Sequence, residues 1–197
     1  MKIYFDGCSI THGFGYLGDE YKNVRWSKLL SDKLGAEEYN FALCGGCNQR
    51  ILRNISIENS IEEYDLAIIQ LTIASRTEFY HQNKFSQVNP RFASDRKEFN
   101  KTHRWGSALS WQMYYRNIYH EHYGDTVEHM VYNCVKSICK LHGIPLILLS
   151  CYSHTKMNYD LIINGKTYTP VSDADSHPSK ESQKLIARDV YNIWMAR

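Results

Sequence analysis

Four short segments with strand character divide this chain: Lys2–Phe5, Glu38–Leu43, Leu66–Leu71 and Ile144–Cys151. Segments with helical spacing lie between and after them. Trp26, Leu29, Leu30 and Leu34 recur at helical intervals, and Gly35 stops that run. Ile51, Leu52, Ile55 and Ile61 suggest a further helix, and Trp111 to Tyr123 another. Val127 to His142 reads as an amphipathic helix, and Ser179 to Ala196 as the last one, with Pro178 before it and Ser179 placed to cap it. Leu66–Leu71 is apolar enough to be covered on both faces. Residues 152–176 read as loop, with a small hairpin turning at Asn164-Gly165. Short apolar strands alternating with helices predict a three-layer α/β/α sandwich around a mainly parallel sheet.

The length of 197 residues, 43% of them apolar, suits one domain over 1–197 with a sizeable core. Within it, residues from about 80 to 125 read as an insertion that is polar but rich in aromatic rings. Such rings can line a binding groove or pack among themselves. Lys and Arg number 23 against 21 Asp and Glu. No basic arm or stripe grips phosphates, so nucleic acid is not an expected partner. Ile144–Cys151, the longest strongly apolar run, is far short of a bilayer span, so no membrane partner is expected either. The opening Met1-Lys2-Ile3-Tyr4-Phe5-Asp6 does not read as a signal peptide. A cytoplasmic protein whose six cysteines stay reduced is therefore expected.

In open parallel sheets, reactive groups gather beyond the carboxyl ends of the strands. Three strand exits carry suitable residues: Gly7-Cys8-Ser9, Gly45-Gly46-Cys47-Asn48 and Thr72 to Arg76. Asp173-Ala174-Asp175-Ser176-His177-Pro178 precedes the last helix. A serine on a turn after the first strand can pair with a histidine near that helix as nucleophile and base. A carboxylate beside the imidazole would fix its tautomer, and glycine amides near the serine would supply donors to an oxyanion.

These segments resemble the landmarks of the SGNH (GDSL-type) hydrolase superfamily. Phe5-Asp6-Gly7-Cys8-Ser9-Ile10-Thr11 is similar to the first, with Cys8 where Asp is usual; Asn40-Phe41-Ala42-Leu43-Cys44-Gly45-Gly46 is similar to the second, and His177-Pro178-Ser179 to the last. Their order spans nearly the whole chain. The Gly-Cys-Ser start, the Gly-x-x-Asn of the second block and the Thr with a downstream Arg in the third resemble a divergent branch that includes phage, viral and bacterial sequences. The resemblance implies an SGNH-like, flavodoxin-like fold and a serine esterase working through an acyl-enzyme. It implies Ser9 as nucleophile, His177 as base, and the Ser9 and Gly45 amides as oxyanion donors, with Gly45 and Gly46 alternatively serving only a turn at positive φ.

Two departures from the family pattern leave alternatives. The third block, Leu71-Thr72-Ile73-Ala74-Ser75-Arg76, has no Asn, so Asn48 or Arg76 is the candidate replacement donor. Asn48 alternatively caps a helix; Arg76 binds an anionic part of the substrate or pairs with Glu78. The residue three before His177 is Ala174, which leaves Asp175 as the chosen orienter and Asp173 as its rival. This chemistry requires no metal and no organic cofactor. The expected partner is a small-molecule or glycan ester, O-acetyl groups on a glycan being one such substrate, with the aromatic insertion binding it. The rival readings are a binding or structural protein that keeps the fold without turnover, and a redox protein using Cys44 and Cys47. His120-Glu121-His122 lacks the spacing that puts two histidines on one helical face, and Cys134 with Cys139 lacks that of a zinc pair.

Overall fold

The computed structural model describes residues 1–13, 21–81, 83–88, 108–151, 157–172 and 175–197. In chain order the first elements are strand β1 (Lys2–Asp6), helices α1 (Ser9–His12), α2 (Tyr21–Val24) and α3 (Trp26–Leu34), strand β2 (Glu37–Asn40) and helix α4 (Asn48–Arg53), which continues as a π-turn over Asn54–Glu58. Strand β3 (Leu66–Leu71) follows, then the hairpin β4 (Thr77–His81) and β5 (Lys84–Val88) and helices α5 (Ala108–Asn117) and α6 (Glu121–Leu141). The chain closes with β6 (Leu146–Ser150), β7 (Leu161–Ile162), β8 (Pro170–Ser172), β9 (Asp175–Pro178) and helix α7 (Lys180–Met195).

Five strands form one sheet in the order β2-β1-β3-β6-β7, every neighbouring pair parallel. Tyr4 lies opposite Tyr39 of β2 and Ala67 of β3, and Ile68 lies opposite Ile147 of β6. Because successive strand side chains point to opposite faces, the sheet has two apolar surfaces. Ile3, Phe5, Leu66, Ile68, Ile147 and Leu149 face Trp26 and Leu30 of α3 and Ile186 and Val190 of α7. Tyr4, Ala67, Ile69, Leu71 and Leu148 face Ile51 of α4 and Val131 and Val135 of α6. Helices thus cover both faces, which is the three-layer α/β/α sandwich. Each large side chain buried there contributes about 1.5–3 kcal/mol relative to exposure.

Several boundaries differ from the periodicity reading. Helix α6 starts at Glu121, not Val127, because His120 caps it, its Nδ1 accepting from the His122 N–H at 3.2 Å. Gly124 interrupts the apolar spacing for a steric reason: a Cβ there would meet the Tyr119 hydroxyl at 2.1 Å and the Ala74 carbonyl at 3.1 Å. Among the described residues no hairpin turns at Asn164-Gly165. The Asn164 side chain accepts from the Lys166 and Thr167 N–H groups, making a local turn instead, and the hairpin of this region is β8–β9.

The described part of the aromatic insertion is a small cluster of its own. Phe79 and Trp111 pack with ring centroids 4.5 Å apart, and Val88, Tyr114 and Tyr115 complete it. Tyr80 and Phe85, a cross-strand pair of β4 and β5, remain exposed. The remainder, residues 89–107, lies outside the described residues. Among the described residues no helix is long and apolar enough to cross a membrane.

Candidate active site

The carboxyl end of the sheet is built from the first strand outward. Asp6, the last residue of β1, is fully buried and accepts from four groups: Arg50 Nη1 at 2.9 Å, Asn54 Nδ2 at 2.8 Å, Tyr4 Oη at 3.2 Å and the Gly7 N–H at 2.7 Å. Arg50 also donates to the Phe41 carbonyl beyond β2. One ion pair therefore ties the exits of β1 and β2 to α4. Neither residue stands out in the sequence, because their relation spans 44 positions.

Ser9 follows three residues later as the first residue of α1, buried, with Cys8 in extended backbone before it. The Gly45-Gly46 turn lies directly on this segment. The Leu43 N–H donates to the Gly7 carbonyl at 3.2 Å, and Gly45 has a φ of 77°. A Cβ on Gly46 would sit 2.8 Å from the Gly7 carbonyl oxygen and 2.9 Å from that of Leu43. Only glycine permits so close an approach of the second block to the first.

Asn48, the first residue of α4, is buried and grips the backbone of Thr72 at both ends of its amide. Its Nδ2 donates to the Thr72 carbonyl at 3.0 Å, and its Oδ1 accepts from the Thr72 N–H at 2.8 Å. The side chain expected to serve as an oxyanion donor thus holds the exit of β3 against α4. Arg76 lies on that same exit. Its Nη1 donates to Thr72 Oγ1 at 2.9 Å and to the Gly46 carbonyl at 3.3 Å, while its buried Nε makes no hydrogen bond among the described residues. Glu78, its alternative partner, is instead paired in a two-pronged contact with Arg53, at 3.0 Å for each nitrogen. The structure therefore sets the Arg76 charge between the second and third blocks.

His177 lies on β9, and α1 packs against that strand, so the elements that carry Ser9 and His177 adjoin. Pro178 of β9 lies opposite Pro170 of β8, and Ser179 caps α7 by accepting from the Ser182 N–H at 3.2 Å. Asp173, Ala174 and the Asp175 side chain lie outside the described residues.

Cysteine placement separates two groups. Cys44 is exposed and Cys47 fully buried. Burial pushes the Cys47 thiol up to about 12, and partial desolvation with the neighbouring Cys8 pushes that of Cys44 up, so neither has the thiolate character that a thioredoxin-like site needs. Cys8 is different. Its sulfur accepts from Gln70 Nε2 at 3.4 Å and hydrogen-bonds with Cys151 and Thr72. The Cys151 hydrogen bond, with the nearby Arg76 charge, holds the Cys8 thiol well below the ordinary range despite its burial, while Cys151 is pushed up. The sequence carried no signal for Cys151, Thr72 or Gln70 as partners of Cys8.

Ser9 thus follows β1, the neighbour of the central strand β3 in the parallel sheet, and His177 lies ahead of the last helix. No protein-family model matches the chain, and no curated protein sequence does. Among solved structures, the lipase Lip_vut3 from a goat rumen metagenome is similar with a TM-score of 0.53 at 14% identity, over 98% of this chain and 97% of that one. A carbohydrate esterase whose active site displays divergent catalytic and non-catalytic binding functions is similar with a TM-score of 0.55 at 14% identity, over 100% of this chain and 65% of that one. The psychrotrophic esterase EstA from Pseudoalteromonas sp. is similar at 17% identity with a TM-score of 0.47, over 100% and 99% of the two chains. At these identities the likeness is one of fold.

Proposed function

We propose that this protein is a serine ester hydrolase. The observation that carries this reading is the contact between α1 and β9 at the carboxyl end of the sheet, which puts the Ser9 and His177 segments side by side in a fold shared with a lipase and a carbohydrate esterase. Ser9 Oγ attacks the ester carbonyl while His177 takes its proton. The acyl–serine ester forms, and His177 returns the proton to the departing alcohol oxygen. Water, activated by the same imidazole, then releases the acid and restores Ser9. Asp175 orients His177, with Asp173 as the alternative.

The Ser9 and Gly45 amides bind the developing oxyanion. Arg76 supplies the third donor in place of the absent Asn, since its charge is held at the block junction by Thr72 and Gly46. Asn48 acts one step back, as a positioning residue for Thr72. O-acetyl groups on a glycan are the favoured substrate, a reading supported by the carbohydrate-esterase neighbour and by the exposed Tyr80 and Phe85 rings. The setting is the cytoplasm, where the free thiols persist.

The absent third-block Asn favours one rival, a binding protein that keeps the fold without turnover. Release of p-nitrophenol from its acetyl and butyryl esters, compared between wild type and Ser9→Ala, decides between them. Turnover that vanishes in the variant supports the hydrolase. Equal turnover in both removes Ser9 as nucleophile, and none in either, on these esters and on acetylated sugars, favours the binding protein.

A further inference from the structure

Strands β1 and β6 flank β3 in the sheet, and each is followed at its carboxyl end by a cysteine, Cys8 and Cys151. Thr72, at the exit of β3, stands between them. Cys8 hydrogen-bonds with both Thr72 and Cys151, and Cys151 Sγ lies 3.9 Å from Thr72 Oγ1. Gln70 Nε2 at 3.4 Å and the Ile10 N–H add donors to the Cys8 sulfur, and the Arg76 charge lies nearby. These groups surround the Cys8 sulfur, which also lies 3.7 Å from Gln70 Oε1. The two sulfurs take no part in any step of ester hydrolysis.

We infer that Cys8 and Cys151 form a thiol-oxidation site, converted by hydrogen peroxide into an intramolecular disulfide beside Ser9. Cys151 is only partly buried. The thiolate of the pair attacks one peroxide oxygen, and the O–O bond breaks. The leaving hydroxide takes up a proton and departs as water, leaving a sulfenic acid. The second sulfur attacks the sulfenic sulfur; the S–S bond forms and a second water leaves with the remaining proton. The two thiols lose two electrons and the peroxide gains them, so no other reactant is needed.

Closure has a mechanical consequence. Strands two places apart in a sheet are separated by roughly 10 Å, whereas a disulfide holds its Cα atoms within about 7 Å. The bond therefore draws the exits of β1 and β6 together over Thr72, and shifts Cys8 with the adjoining Ser9. Cys47 is a poor competitor, since it is fully buried and its thiol is pushed up to about 12.

The test treats the full-length protein with hydrogen peroxide, blocks the remaining thiols, and maps linked peptides by mass spectrometry without reduction. The expected result is a peptide pair joining Cys8 to Cys151, two hydrogens lighter than the thiols, abolished by dithiothreitol and missing from Cys151→Ser and Cys151→Ala. Cys8 and Cys151 recovered as free thiols, or links involving Cys44 or Cys47 in their place, overturn the inference. This readout does not depend on ester turnover. In the same samples, where p-nitrophenyl acetate is hydrolysed, turnover is lost on oxidation and regained with dithiothreitol in wild type, and is retained under peroxide in Cys151→Ala.

Discussion

Arg50 Nη1 lies 2.9 Å from Asp6 Oδ1, with Asp6 fully buried and Arg50 nearly so. This pair sits under the turn that carries Ser9, and it joins the exit of β1 to α4. A buried carboxylate left without its cation is costly, because neither water nor another charge replaces the lost partner.

Arg50→Met therefore destabilises the fold by about 3–5 kcal/mol. Urea unfolding followed by circular dichroism measures this. A loss below about 1 kcal/mol would show that Asn54, Tyr4 and the Gly7 N–H suffice to hold the charge. The double variant Arg50→Met, Asp6→Leu recovers part of the loss, since it removes the unpaired charge along with its partner.

Gly46→Ala places a methyl against two backbone carbonyl oxygens, at 2.8 and 2.9 Å. Neither belongs to a flexible side chain, so one of the two segments must move. The expected cost is about 1–3 kcal/mol of stability. Ester turnover falls along with it, because the Gly45 amide and the Ser9 turn separate. Unchanged turnover in a folded variant would exclude the Gly45 amide from the oxyanion site.

Arg76 and Asn48 are expected to fail in different ways. Arg76→Ala lowers kcat by about 10²–10³, the effect of losing one oxyanion donor, with little change in KM. Asn48→Ala leaves two Thr72 backbone groups unsatisfied and lowers stability by about 1–3 kcal/mol, with a smaller effect on kcat. Thermal melting and steady-state kinetics on both variants separate the roles. The reverse pattern would return the donor role to Asn48.

His12 gives the fold a pH dependence. Its ring stacks on Tyr21, with centroids 5.1 Å apart, and its buried Nδ1 has no hydrogen-bond partner among the described residues. Burial first, then the charges of Arg25, Lys22 and Arg50, hold the imidazole below its ordinary value of 6.5. Above 6.5 both folded and unfolded forms are neutral, and His12 contributes no pH dependence. As pH falls through 6.5 the unfolded chain takes up a proton that the folded chain refuses, so stability is lost until the lower, folded value is passed. Melting temperatures measured between pH 7.5 and pH 5 should fall less in His12→Gln than in wild type. Parallel curves would rule out His12 as the source.

The layer architecture was legible in the sequence because it rests on local patterning. The Leu66–Leu71 run, the period of Trp26 to Leu34 and the Ser179 cap each reflect one segment's own burial. The glycines at 45 and 46 were legible as a turn for the same reason. The start of α6 was not, because Gly124 answers to Tyr119 and Ala74 and not to its own helix.

At the site, sequence order suggested which blocks would meet, and tertiary packing decided what each side chain does there. Asn48 was a candidate donor until the exit of β3 came within reach and took both ends of its amide. Arg76 acquired its position from Gly46, thirty residues away, and left Glu78 to Arg53. The Asp6–Arg50 pair and the Cys8–Cys151 contact join residues far apart in the chain. A hydrogen bond depends on distance and direction in space, and those are set only when the parallel strands come into register. The sequence by itself thus determined the sheet and its order of blocks; the register of β1, β3 and β6 determined the chemistry placed at their ends.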